Sequence, residues 1–392
     1  MALTGWVILF WYYRAALLAL WREPMLCHPI LIIESDDWGP GPKSHGQQLH
    51  RISKILERHH DARGHAAVMT LGVALALPDV KRMALNDYAH YYRQLLSPLQ
   101  CPAIYGVMRR GASSGIFAVH MQGLEHYWPP TLLWAIKANE HVKAWLLSDE
   151  FPRTEELPPH LRSRWTNATS LPSRPLPEEQ ITAAVALEAK IFSRIFGNVP
   201  EVVVPPAFCW NDLVEKAWAS VGVHIIVTPG YRCESHDRDG GMTAKGALIH
   251  NGQINAYGQM YVVRDDYFEP GLGHLAEKGL AALAQKSRLG RPTLLESHRF
   301  NYVDDPDVAD AALSQLDHFL EETTQRFPSV HFMSTAKLAG IFSGAHPDFI
   351  QQKIRRRINV WLLRVREVPT LWRAACLSGM IMPALVLYRL TR

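Results

Sequence analysis

The chain has 392 residues, 48% hydrophobic and 20% charged, a composition normal for one large α/β barrel or two ordinary domains with a sizeable core. Its five cysteines (Cys27, Cys101, Cys209, Cys233, Cys376) are scattered and never form a C-x-x-C pair. That argues against a disulfide framework or a zinc–thiolate site and for a reducing compartment. The formal charge of +4 is uneven: residues 351–392 carry nine basic side chains and one acidic one, Glu367, leaving the remainder about −4. The basic character belongs to a tail, so no nucleic-acid-binding catalytic domain is expected.

In chain order, Leu3 to Trp21 is mostly apolar but carries Arg14 in its middle. It has neither a basic leader nor a small-x-small cleavage site, which fits a cleaved signal poorly. Held at mid-bilayer, Arg14 would cost about 2.5–3.5 kcal/mol, which favours interfacial contact over a span. Pro29 to Ile33 then predicts a short buried strand, ended by Gly39-Pro40-Gly41-Pro42. Asp36 and Asp37 follow at its carboxyl end, where α/β folds place their chemistry. One could hold a metal while the other takes a proton; both could equally cap the turn.

Further strands are predicted at 66–71, 116–120, 202–204, 224–227, 260–263, 292–296 and 330–333, with helices over 46–58, 132–147, 178–196, 213–221 and 308–327. This alternation predicts a distorted (β/α) barrel of seven or eight strands. Residues 151–177, rich in Pro, Ser and Arg, are expected to form an insertion or lid loop. The chain divides into an apolar N-terminal helix (1–27), the barrel (28–342) and basic amphipathic helices (343–392). Near the end, Trp372 to Tyr388 is apolar but broken by Pro383, and is preceded by five arginines from Arg355 to Arg366. Arginines interleaved with Trp and Leu suit an anionic membrane surface. The alternative is that both ends simply pack on the barrel.

The polar residues gather at strand ends. His120, Gln122, Glu125 and His126 lie within seven residues and could ligate a divalent metal together with Asp37. Pro205-Pro206-Ala207-Phe208-Cys209-Trp210-Asn211 offers aromatic walls for a sugar ring and an amide for a hydroxyl, or else a rigid apolar rim. Arg264, before Asp265-Asp266, could orient a base or hold an oxyanion. Glu296-Ser297-His298-Arg299-Phe300-Asn301-Tyr302 places a candidate general acid, His298, after the 292–296 strand.

Taken together, these motifs resemble the polysaccharide deacetylase superfamily, metal-dependent carbohydrate esterases on a distorted (β/α) barrel. The similarity is greatest to a bacterial branch named hypothetical polysaccharide (de)acetylases, and covers roughly residues 28 to 342. It rests on Ser35-Asp36-Asp37-Trp38-Gly39, Gly123-Leu124-Glu125-His126, Arg264 with Phe268-Glu269-Pro270, and His298 to Tyr302. The resemblance implies Asp36 as general base, Asp37 and His126 as metal ligands and His298 as general acid. The family's first motif histidine falls on Gln122, so His120 or Gln122 must supply the third ligand, and Arg264 replaces an arginine of another motif. Substrate contacts are expected from Trp38, Glu125, Phe208, Trp210, Asn211, Glu269, Arg299 and Asn301.

The implied activity is metal-dependent hydrolysis, zinc being the first choice, of an acetyl group on a sugar of a surface polysaccharide or lipid-linked precursor. The enzyme would act from the bacterial cytoplasm, peripheral or monotopic on the inner membrane. Two alternatives stay open. One is a glycoside hydrolase using Asp36 with Glu296 or Glu125. The other is a degenerate barrel that binds glycan or scaffolds a complex.

Overall fold

The computed structural model describes residues 2–243 and 246–391; Met1 and Arg392, which bound the two terminal segments, lie outside them. The apolar run Ile30-Leu31-Ile32-Ile33 begins a nine-residue strand, β1 (Ile30–Trp38), buried along its whole length. Burial is complete because strands flank it on both sides and packed side chains cover both of its faces. The sequence suggests an end at Ile33, but pairing carries the ladder through the carboxylates. Asp36 and Asp37 therefore belong to the strand itself.

The other strands of this sheet are β2 (Met69–Val73), β3 (Phe117–Met121), β4 (Val202–Val203), β5 (Ile225–Thr228), β6 (Met260–Val263), β7 (Asp266–Tyr267) and β8 (Thr293–His298). They run in the order β6-β5-β4-β3-β2-β1-β8-β7. Every neighbouring pair is parallel. A ninth strand, β9 (His331–Phe332), pairs with the first residues of β1. β6 and β7 occupy opposite edges, yet only Arg264 and Asp265 separate them in the chain. Three peptide steps span at most about 11 Å, so the sheet must curl until its edges face one another. This is the expected distorted barrel, with a seam crossed by Arg264.

Helices Lys43–Leu56, Pro102–Ser114, Glu178–Phe196, Asp212–Ser220, Ala276–Arg288 and Pro306–Arg326 flank the sheet. The helix expected over 132–147 is instead two, Pro129–Ala138 and Glu140–Ser148, divided at Asn139. Its side chain accepts the His141 backbone N–H at 2.9 Å and so caps the second helix.

Alternation along the strands makes two cores. Leu31, Ile33, Met69, Leu71, Phe117 and Leu295 pack in the cluster that includes the helices. Ile30, Ile32, Val202, Val204, Val262 and Leu294 pack together in the second cluster, on the other strand face.

Helix Lys43–Leu56 approaches helix Pro102–Ser114 closely at Gly46, where an added Cβ would lie 2.9 Å from Ala103 C and Ile104 N. Backbone cannot yield as a side-chain tip can. Gly46→Ala is therefore expected to destabilise by about 1–3 kcal/mol in urea unfolding. Gly106→Ala, which meets only the Arg110 guanidinium at 3.3 Å, is expected to be neutral or stabilising by up to about 1 kcal/mol. Equal losses at both positions would refute this packing.

Candidate active site

The second face changes character as it climbs toward the carboxyl ends of the strands. On β1 the sequence on that face is Ile30, Ile32, Glu34, Asp36; on β8 it is Leu294, Glu296, His298. Strand register sets Glu34 beside Glu296 and Asp36 beside His298. Alternation adds Gly72 from β2 and His120 from β3. Apolar side chains thus fill the lower barrel and titratable ones its upper third.

Arg264 sits among these carboxylates and is itself buried. It donates twice to Asp36, at 2.6 and 3.1 Å, and to Glu34 Oε2 at 2.9 Å. Its Nε lies 3.3 Å from Glu296 Oε2, an ion pair without hydrogen-bond geometry. Thr335 Oγ1 also donates to Glu34. Burial would raise the pKa of Asp36, but the charge and hydrogen bonds of Arg264 outweigh it and hold the carboxyl below its ordinary value. For Glu34 and Glu296 burial wins, and both are raised. Gly72 leaves room for this arrangement, since a Cβ there would lie 2.4 Å from Asp36 Oδ1.

Alternation alone would turn Asp37 away from the face of Asp36. Its φ of +65° and the register shift between Ser35 and Trp38 break that alternation. Both consecutive carboxylates consequently line the same cavity, of about 460 Å³. Asp is among the residues that tolerate this left-handed conformation. The Asp37 backbone N–H donates to Gln122 Oε1 at 2.8 Å.

His126 Nδ1 lies 3.1 Å from the Arg162 carbonyl, so that nitrogen carries the proton. Its Nε2 then faces Asp37 Oδ1 at 3.5 Å. Asp37 Oδ1 is buried without a hydrogen-bond partner. Two lone-pair donors facing each other, one with its tautomer fixed from behind, is an arrangement that suits a cation.

His298 lines the same cavity. Its Nδ1 is 2.5 Å from Glu269 Oε1, and Asn301 donates to the other oxygen of Glu269. The ring stacks on Phe300 at 5.7 Å between centroids. Burial would lower its pKa, but the hydrogen bond to Glu269 and the charges of Asp37, Glu269 and Asp36 raise it to about 10. The imidazolium therefore carries a proton at neutral pH.

Asp36, Glu296 and His298 also bring donor atoms within 4.8 Å of one another, a spacing that could hold an ion. There, however, Arg264 takes both oxygens of Asp36 and Glu269 holds His298 as a cation. A metal would be a third positive charge at that point. Asp37 and His126, with Gln122 Oε1 beside them, fit a divalent ion better.

Several expected residues lie elsewhere. His120 sits near Glu34 (3.5 Å), not against Asp37, and burial lowers its pKa to about 3. Trp38 is fully buried and donates to Ser35 Oγ at 2.9 Å. Trp210 is buried against Glu215 (2.8 Å), and Asn211 caps the helix Asp212–Ser220. Glu125 is buried between Arg164 (2.6 Å) and Arg93, which removes it from any catalytic pair. Arg299 is buried outside the cavity wall, its backbone N–H donating to Asp36 O at 3.0 Å. Asn301 reaches the site only through Glu269. Arg264 faces carboxylates and not the cavity, so it positions Asp36 and does not meet an oxyanion.

Phe208 does line the cavity, with its ring under the Arg264 guanidinium at 5.5 Å. Ala207 and Phe208 both have positive φ, +52° and +50°, a strained turn for residues with side chains. The 151–177 segment contributes Thr154, Glu155, Pro159 and Arg162 to the wall. It is tied down by Arg164 to Glu125 and Glu188 and by Arg153 to Asp304. Glu34, Gly72 and Thr335 were not foreseen. Glu34 stands two residues before Asp36, and alternation from Ile32 was the signal that could have found it.

Removing Arg264 would leave three buried carboxylates facing each other. Arg264→Met is expected to lose about 3–5 kcal/mol at neutral pH in urea unfolding. The depressed pKa of Asp36 contributes stability above its unfolded value of about 4, and this is lost as pH falls through the folded value. The gap between wild type and variant should therefore narrow below about pH 4. A gap that is small at pH 7, or constant with pH, would contradict the network.

No protein-family model matches the chain, and no curated protein does. Among solved structures, a 4-alpha-glucanotransferase from Thermococcus litoralis aligns at 9% identity and a TM-score of 0.43, covering 81% of this chain and 40% of that one. A family 4 acetyl xylan esterase from Clostridium thermocellum, in complex with a cobalt ion, gives 11% identity, coverages of 82% and 94%, and a TM-score of 0.38. A peptidoglycan deacetylase from Bacillus subtilis gives 12%, 81% and 94%, and 0.37. The chain spans less than half of the glucanotransferase but nearly all of the other two chains. At such identities and scores, the chemistry has to be read from this chain's own residues.

Proposed function

We propose that the protein is a hydrolase that removes an acetyl group from a sugar, with a divalent metal held by Asp37, His126 and the Gln122 carbonyl oxygen. The observation that carries this reading is the pair of facing donors, Asp37 Oδ1 and His126 Nε2, beside an ionised Asp36 and a protonated His298. When bound, such an ion supplies carbonyl polarisation and acidifies water, whose pKa falls from 15.7 toward about 7 in favourable zinc sites.

The protein's own groups do the rest. Arg264 keeps Asp36 ionised, and its carboxylate retains lone pairs able to take a proton from attacking water. The new C–O bond forms at the acetyl carbon, and the C–N or C–O bond to the sugar breaks. His298 Nε2–H gives its proton to the departing amine or alkoxide. Glu269 and Asn301 fix the ring for that transfer. Acetate and the deacetylated sugar leave. Phe208 and the 151–177 segment wall the cavity.

One observation favours a second reading. Carboxyl oxygens of Asp36 and Glu296 lie within 4.8 Å, close to the 5–5.5 Å spacing of retaining glycosidases. Against it, both carboxylates are held by one guanidinium and cannot flank a sugar between them.

The test is acetate release from N-acetylated amino-sugar oligomers and O-acetylated xylo-oligomers, before and after chelation and zinc addition. Asp36→Asn and His298→Asn are expected to lose about 10²–10⁴-fold in kcat while remaining folded. Asp37→Ala and His126→Ala should lose both activity and stoichiometric metal, whereas His120→Ala should keep the metal. Activity indifferent to chelation and to Asp37→Ala would refute the metal-assisted route. New reducing ends without acetate would install the glycosidase instead.

A further inference from the structure

The helices outside the barrel form one layer. Helix Ala2–Arg22 packs against helices Ile354–Val365 and Pro369–Leu377, and helix Ile381–Thr391 packs on Ile354–Val365. Trp361 Nε1 donates to Leu17 O and Trp6 Nε1 to Ser378 O, each at 3.0 Å. Arg364, fully buried, donates to the carbonyls of Glu23, Pro24, Leu289 and Gly290 at 2.8–3.1 Å. Leu289 and Gly290 lie just before β8, and Glu23 and Pro24 lie six to seven residues before β1. The layer is therefore fixed to the amino-terminal end of the sheet, opposite Asp36 and His298.

Its outer surface is unusually apolar. Of the 27 exposed large hydrophobic side chains among the described residues, thirteen belong to these helices, including Trp11 (69% exposed), Leu377 (90%) and Val386 (57%). Between the helices runs an apolar groove of about 330 Å³, lined by Phe10, Leu17, Trp361, Leu371, Trp372 and Leu387 among others. Arg14, Arg22, Arg355, Arg356, Arg366, Arg373 and Arg389 are exposed around it. Among the described residues of 2–22 and 354–391 the one acid is Glu367, in the turn between two of these helices, and it pairs with Arg291 at 2.5 Å. No single helix among the described residues is long and apolar enough to cross a membrane; helices Pro369–Leu377 and Ile381–Leu390 satisfy length and composition only as a pair bent by 105°.

We propose that this layer is a docking face for an anionic lipid bilayer, lying in the headgroup plane with the catalytic mouth turned toward water. Charge decides the occupant. A second copy would set these seven exposed guanidinium groups, none in a salt bridge with a carboxylate, against their own kind, whereas anionic headgroups neutralise them and the apolar groove takes acyl chain. Asp36 stands six residues up β1 from Ile30, which at about 3.3 Å each puts it about 20 Å along the strand from the end that meets the layer. A corollary, which rests on the deacetylase reading, is that the acetylated sugar arrives from solution or as the distal part of a long glycan, not as a unit at the headgroups.

The membrane claim is tested without reference to activity. The full chain is sedimented with vesicles of phosphatidylcholine alone and with vesicles that also contain phosphatidylglycerol. Binding should be at least about tenfold tighter to the anionic vesicles and should weaken with salt. The triple variant Arg355→Glu, Arg356→Glu, Arg373→Glu should abolish it, and Trp11→Ser with Val386→Ser should weaken it, both with unchanged unfolding midpoints. A fluorophore on the exposed Cys376, with Cys27→Ser, should be quenched by a bilayer quencher, and one on Glu155→Cys should not. Absence of anionic-vesicle binding would overturn the proposal. So would quenching at position 155 without quenching at 376, or a dimer that the Trp11/Val386 variant dissolves while no vesicle binds.

Discussion

A single guanidinium buried among three carboxylates is the constraint on which the rest of this protein depends. Arg264 lies where the chain crosses from one edge of the curled sheet to the other, so closing the barrel and delivering the charge are one event. Without it, Glu34, Asp36 and Glu296 would share a buried site with only the His298 imidazolium, itself held by Glu269, as counter-charge, a state that costs several kcal/mol. With it, Asp36 stays ionised while Glu34 and Glu296 are raised by burial. One arginine thereby separates the protonation behaviour of three neighbouring acids, which chemistry at a single carboxylate requires.

The second constraint is the break in alternation at Asp37. A regular strand presents every other residue to one face, so adjacent acids would ordinarily serve opposite sides. The positive φ at Asp37 lets two successive carboxylates meet the same cavity, one held by Arg264 and one facing His126 without a hydrogen bond to its Oδ1. Proton transfer and cation binding can then be assigned to neighbouring residues without competing for the same oxygen atoms.

Most of the barrel was legible because its strands are short apolar runs that end in polar residues. What resisted reading has physical causes. β7 is two residues long and carries no periodicity, so the seam was invisible, and with it the reason Arg264 points inward. Trp38 closes β1 and Trp210 follows β4, positions where an aromatic serves a wall or a core equally well; the bulge at Asp37 sends Trp38 to the core. Asn211 and Asn139 have the chemistry of ligands and of helix caps alike, and here they are caps. The pairing of Asp36 with His298 depends on the register between strands about 260 residues apart, which local pattern cannot supply. The apolar ends were visible as such, but not that Arg364 joins them into one layer beneath the barrel.

Where a divalent ion binds decides the chemistry of this site. Anomalous diffraction from crystals of the full chain soaked in zinc should show one strong peak between Asp37 Oδ1 and His126 Nε2, with Arg264 still on Asp36. A peak among Asp36, Glu296 and His298 with Arg264 displaced, or no peak at the site, would contradict it.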